Sequence, residues 1–193
     1  MPLRYLKPTV FLLCLLPLAW LTLQALTGAL SANPIEDITH RTGDWTLRFL
    51  LITLAATPLR RLLGWSWPLR VRRMLGLFAF FYATLHLLTY LWLDQFFGWE
   101  EIVFDVLERP FITVGMVAYL LLLPLALTST DRVMRRLGGR TWKRLHRLAY
   151  VVPALGVLHF LWAVKADRLE PLVYGGVLLV LLALRVWPVR GKR

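Results

Sequence analysis

The chain holds one cysteine, Cys14, in 193 residues. A single thiol excludes an intrachain disulfide, a CxxC redox pair and thiolate-ligated iron–sulfur clusters. The sequence also has no G-x-G-x-x-G, no P-loop and no serine nucleophile elbow. The usual signatures of dinucleotide binding, nucleotide hydrolysis and α/β-hydrolase chemistry are therefore missing. No repeat of solenoid period and no low-complexity linker is present. Acids are scarce, 11 against 23 lysines and arginines, for a net charge of +12. Such a balance can signal a nucleic-acid partner, but the basic residues fall between apolar runs instead of forming one patch. Membrane orientation explains that placement better, and no nucleic-acid partner is expected.

What the chain has in quantity is apolar length. Residues are 58% hydrophobic and mean hydropathy is +0.60, too apolar for an ordinary soluble domain. Six candidate spans can be read at 9–30, 45–63, 72–93, 110–128, 142–164 and 171–188. The expectation is an all-α integral membrane protein, a six-helix bundle forming one domain over 1–193. The first run has a basic start at Arg4 and Lys7 and ends in Ala-Leu-Ser-Ala before Asn33, which mimics a signal-peptide cleavage site. Its apolar stretch exceeds the 7–15 residues of a signal core, so a retained helix is expected.

Charge orients the bundle. With alternate loops on alternate sides, the N-terminus, the 59–73 loop, the 129–147 loop and the C-terminus share one side. They hold 18 of the 23 lysines and arginines, and the other side holds ten of the eleven acids. The positive-inside rule makes the basic side cytoplasmic, with both termini inside. Trp45, Trp92 and Trp162 near the outer ends, and Trp65, Trp67, Trp142 and Trp187 near the inner ends, read as an aromatic belt. Pro17, Pro124 and Pro153 lie in or near span interiors, which a bundle tolerates when neighbours re-satisfy the freed backbone groups. The outer segment 94–109 mixes acids with aromatics and reads first as a solvated acidic loop, with a short surface helix or docking site as the alternative.

Four histidines are present, and three fall in spans. His146 and His159 lie thirteen residues apart in span five, about 20 Å along a helix. Ionisable side chains within a span are expensive and point to function. His86 in span three is thirteen residues from Arg73, so it reaches the same depth as His159. Two facing imidazoles at one level are what a six-coordinate haem between two helices requires. The bland reading competes: an interfacial His146 and a His159 bonded to a neighbouring helix. At the inner level His146 faces no histidine, because span three offers Arg72 and Arg73 there. Arg72 shares a helical face with His86, fourteen residues on; it suits a haem propionate, or is an ordinary positive-inside residue. His40, beside Asp37 and Asp44, reads as a surface histidine.

At these residues the chain resembles the ferric-reductase-type transmembrane domain, and within that superfamily the MsrQ (YedZ) family. The supporting stretches are NPIEDITHRTGDW at 33–45, TPLRRLLGW at 57–65, RVRRMLGLFAFFYATLHLLTY at 70–90, RPFITVG at 109–115 and TWKRLHRLAYVV at 141–152. Larger members of the superfamily carry two histidines on each of two helices; this chain has three, with Arg72 near the fourth position, so ligation of an inner haem stays open. The resemblance implies a subunit of the bacterial inner membrane that binds one or two haem b groups through His86, His159 and His146, with FMN associated. It implies electrons taken from a cytoplasmic flavin reductase or quinol. It further implies that they pass to a periplasmic molybdopterin enzyme, MsrP, which reduces methionine sulfoxide in envelope proteins. The spans leave no room for an NAD(P)H-binding domain, so an external donor is expected. Two other classes remain at this stage: a quinol-oxidising cytochrome b serving another acceptor, and a non-redox transporter or assembly protein.

Overall fold

The computed structural model describes residues 3–165 and 167–186, and these form a helical bundle without strands. Its helices are α1 (Leu3–Leu26), α2 (Pro34–Leu63), α3 (Trp67–Leu88), α4 (Trp99–Glu108), α5 (Pro110–Leu127), α6 (Asp131–Leu137), α7 (Gly139–Leu145), α8 (Leu148–Ala163) and α9 (Leu169–Val186). A π-helical turn, Thr89–Asp94, prolongs α3. Five stretches are long and apolar enough to cross a membrane: Arg4–Leu26, Trp67–Asp94, Pro110–Leu127, Gly139–Ala163 and Leu169–Val186. The chain is therefore a multi-pass membrane protein. Each expected span lies on a helix. The second differs: α2 starts at Pro34 rather than 45, and Asp44, Arg48, Arg60 and Arg61 keep it out of the apolar set. The last residues of the sixth expected span, with Trp187, Arg190, Lys192 and Arg193, lie outside the described residues.

Local chemistry sets the limits of α2. The Asn33 side chain accepts from the Glu36 N–H, Pro34 supplies a pre-set φ, and Glu36 and Asp37 meet the positive end of the helix dipole. At the far end Gly64 takes φ +71°, a left-handed conformation cheap only for glycine, and its N–H returns to the Arg60 carbonyl. Helix ends are then tied across the bundle. Arg41 donates to Gln24 at the end of α1, and also to Asp37, whose carboxyl is thereby held below its usual range. Arg61 donates to the Arg185 carbonyl of α9, and Arg73 pairs with Asp131 of α6.

The longest helix–helix packings run between α2 and α3 and between α5 and α8, with α9 against α2 and α8. One core cluster joins Phe49, Val71, Phe78, Tyr82, Leu122 and Val152. Edge-on and stacked ring pairs connect Phe11, Phe78, Phe81, Tyr82 and Phe49. Leucines on the outer faces stay open, Leu13 at 55% and Leu179 at 69%, as lipid-facing surface does.

Pro17 would leave α1 with a broken ladder, and Tyr82 repairs it. The tyrosine, 1% exposed, accepts from the Leu18 N–H at 3.1 Å and donates to the Cys14 carbonyl at 2.9 Å. Its hydroxyl thus sits between two groups of α1 four residues apart, and it joins α1 to α3. Tyr82→Phe should cost about 1–2 kcal/mol, read as a lower Tm of the detergent-solubilised protein and easier proteolytic release of α1. An unchanged Tm would show that α1 docks without this bond.

Two expectations are corrected here. Residues 99–108 are a helix, not a solvated loop. Ile102 and Asp105 face inward while Trp99, Val103 and Leu107 form an exposed apolar stripe at i, i+4, i+8. The chain reaches this helix through Phe96 and Phe97, both at positive φ, a conformation that costs roughly 1–2 kcal/mol for such residues. Span five is also not one regular helix. Hydrogen bonds tighten to i→i−3 at Arg147–Arg144, Ala149–His146 and Tyr150–Arg147, so α7 ends at His146 and α8 begins at Leu148. Pro153 and Gly156 lie beyond this break, inside α8.

Candidate functional site

His86 on α3 and His159 on α8 meet in the bundle, ring centroids 5.9 Å apart and planes at 82°. Their equal depth along two spans that run in the same direction anticipated this. Each imidazole is held through Nδ1 by a backbone carbonyl of a third helix. His86 Nδ1 lies 2.9 Å from the Thr39 carbonyl of α2, and His159 Nδ1 lies 2.7 Å from the Phe111 carbonyl of α5. A carbonyl only accepts, so both neutral rings carry their proton on Nδ1 and leave Nε2 as a lone pair. Metal-ligating histidines are held in the same way, by an acceptor on the ring nitrogen that does not face the metal.

Among the described residues no three His, Cys, Asp or Glu side chains gather to enclose a bare metal ion. Two imidazoles with free Nε2 atoms suit a metal that brings its own equatorial ligands, as haem iron does. The backbone makes room for them. A Cβ on Gly43 would stand 3.2 Å from the His86 ring, and one on Gly115 would stand 2.8 Å from His159 Nδ1.

His146 forms a second, incomplete level. Its ring stacks on Trp142 at 3.8 Å and 24°, and its Nδ1 lies 3.1 Å from the Trp142 carbonyl. Its Nε2 is buried without a partner. Trp142 in turn donates from Nε1 to the Thr128 carbonyl, 3.0 Å away. Trp142 thus has contacts that the aromatic-belt reading did not include, with its ring against His146. Arg72 lies within electrostatic reach of His146 and makes no ion pair among the described residues, whereas Arg73 is taken by Asp131. His40 is exposed at the surface, as expected.

Sequence reasoning missed Arg48. It donates from Nε to the Tyr174 hydroxyl at 2.7 Å, pairs with Asp44 at 3.3 Å and Glu170 at 3.7 Å, and lies over Trp45 at 5.0 Å. The Asp44–Arg48 spacing of four was the available signal. Its partners on α9 had none.

A model of the ferric reductase like transmembrane component matches residues 42–157. That range runs from the turn that contacts His86 to two residues short of His159. The fold and the paired histidines thus define a ferric-reductase-like membrane domain. A protein-methionine-sulfoxide reductase heme-binding subunit MsrQ from Herminiimonas arsenicoxydans is 55% identical, covering 98% of this chain and 89% of the relative. The like-named protein of Rhodospirillum rubrum is 56% identical, covering 95% of this chain and 88% of its own. The chain belongs to the MsrQ family. No solved structure matches it.

Proposed function

We propose that this chain is the haem b-carrying electron-transfer subunit of a membrane methionine sulfoxide reductase system. It has six spans, both termini in the cytoplasm, and a single ferric-reductase-like domain over residues 1–193 in a bacterial inner membrane. The observation that carries the reading is the His86–His159 pair, with both Nδ1 atoms anchored and both Nε2 atoms free. The relatives, named as heme-binding subunits of that system, support it. Haem iron held there supplies one-electron transfer. His86 and His159 bind it from α3 and α8, and the surrounding helices exclude water. At the basic end, Arg72 offers a guanidinium to a propionate, and the orphaned Nε2 of His146 offers a ligand to an inner group.

Electrons enter from the basic side, from a flavin reductase or quinol, with FMN assisting. They leave at the acidic side to an MsrP-like periplasmic reductase of oxidised envelope proteins. The depth of His86 and His159, towards the acidic end, favours this direction. The test is stopped-flow reduction and reoxidation in oriented vesicles, each partner added on a known side. Reduction from the basic face and reoxidation from the acidic face are expected. Reduction only by a donor on the acidic face, or no reoxidation by the periplasmic reductase, would reverse or remove the assignment.

A further inference from the structure

The two histidine anchors are built the same way. His86 bonds the carbonyl of Thr39, and the glycine beside it, Gly43, is four residues further along α2. His159 bonds the carbonyl of Phe111, and the glycine beside it, Gly115, is four residues further along α5. In an α-helix each Cβ tilts toward the N-terminus, over the turn before its own Cα. A side chain at i+4 therefore stands over the region of the carbonyl at i. Glycine at i+4 leaves that carbonyl open to a group from a neighbouring helix. The device occurs on α2 facing α3 and on α5 facing α8, the two most extensively packed helix pairs.

We propose that Gly43 and Gly115 are positioning residues that open the Thr39 and Phe111 carbonyls to His86 and His159 and so set the electron donation of both imidazoles. The inference rests on the reading of this pair as haem ligands. Donation from Nδ1–H to a carbonyl makes a ligating imidazole more basic, which favours ferric iron and lowers its potential. Removing the bond acts in the opposite direction. The two glycines are not equal. A methyl on Gly115 would meet His159 Nδ1 at 2.8 Å, closer than such contacts occur, so the ring must move off its 2.7 Å bond. On Gly43 the nearest ring atoms lie at 3.2 Å, and a displacement of a few tenths of an ångström suffices.

The test uses the full chain, purified with its haem, as wild type, Gly43→Ala and Gly115→Ala. Spectroelectrochemical titration and low-temperature EPR of the ferric form are recorded. The midpoint potential should rise in both glycine variants, more in Gly115→Ala, with a shifted highest g value. The component that moves should be the one lost in His86→Ala. If both variants hold haem with wild-type potential and g values, the inference is overturned while the ligand reading stands. If His86→Ala and His159→Ala keep full b-type absorbance, the ligand reading itself fails. Should Gly115→Ala lose haem or fail to fold, electron–nuclear double resonance of Gly43→Ala and the wild type decides. A coupling of the exchangeable Nδ1 proton that reports a hydrogen bond on both ligating imidazoles, weakened on one of them in Gly43→Ala, supports the proposal, and a coupling unchanged in Gly43→Ala overturns it.

Discussion

His86→Ala and His159→Ala are each expected to remove most of the b-type absorbance of the purified chain. Each change deletes one of two imidazoles that face each other at 5.9 Å, and alanine offers neither a lone pair nor the bulk to fill the space. The remaining imidazole would have to hold the iron alone, with the opposite face open. One of two ligands supplied by the chain is then gone, and the Thr39 or Phe111 carbonyl behind it loses its donor, so near-complete loss is the expected scale. His40→Ala is the control, because His40 is exposed and outside the pair; it should keep the wild-type spectrum. His146→Ala should keep the component that His86→Ala loses. Absorbance spectra of protein purified in parallel, normalised to chain concentration, provide the measurement. Full haem retention in both His86→Ala and His159→Ala would contradict the pairing.

The second large effect concerns the basic face. Arg135 and Arg136 on α6 and Arg140 on α7 are exposed and pair with no acid among the described residues. The one acid of that segment, Asp131, is hydrogen-bonded by Arg73, and its carboxyl is held below the usual range. The three arginines therefore act outward, on whatever approaches the surface. Electrostatic steering accelerates association by factors of 10 to 10³. Changing all three to glutamine should slow haem reduction by a cytoplasmic reductase about tenfold at low ionic strength, within that range. The difference from wild type should shrink as salt rises, because the Debye length falls to about 10 Å at 0.1 M. Reoxidation from the acidic face should be unchanged. An equal slowing of both half-reactions, or an effect indifferent to salt, would show that the arginines support the fold and not the encounter.

Much of the bundle was legible in the residue order. Span positions follow from apolar runs, and a run of about twenty residues crosses a hydrocarbon core whatever it packs against. The matched depth of His86 and His159 follows from rise per residue alone, and the structure places them side by side. The need to repair the helix at Pro17 was also legible, though not that Tyr82 would do it. Other features were misread because their signal is weak or shared. Residues 99–108 carry acids that suit a loop as well as a helix. The 129–147 stretch was read as a loop but contains α6 and α7.

The sequence by itself determined the class of the protein, the positions of the apolar helices, the matched depth of the paired histidines and the uneven distribution of charge between alternate loops. These depend on hydropathy, length and residue type, all local quantities. The tertiary structure alone decided which atoms hold the imidazoles. The Thr39 and Phe111 carbonyls are backbone atoms of other helices, and every residue type carries such a carbonyl, so nothing in the letters marks them out. It also decided that Arg48 ends at Tyr174 and Glu170, and that the Trp142 ring stacks on His146. The rotation of each helix about its own axis settles these contacts, and close packing against neighbours sets that rotation.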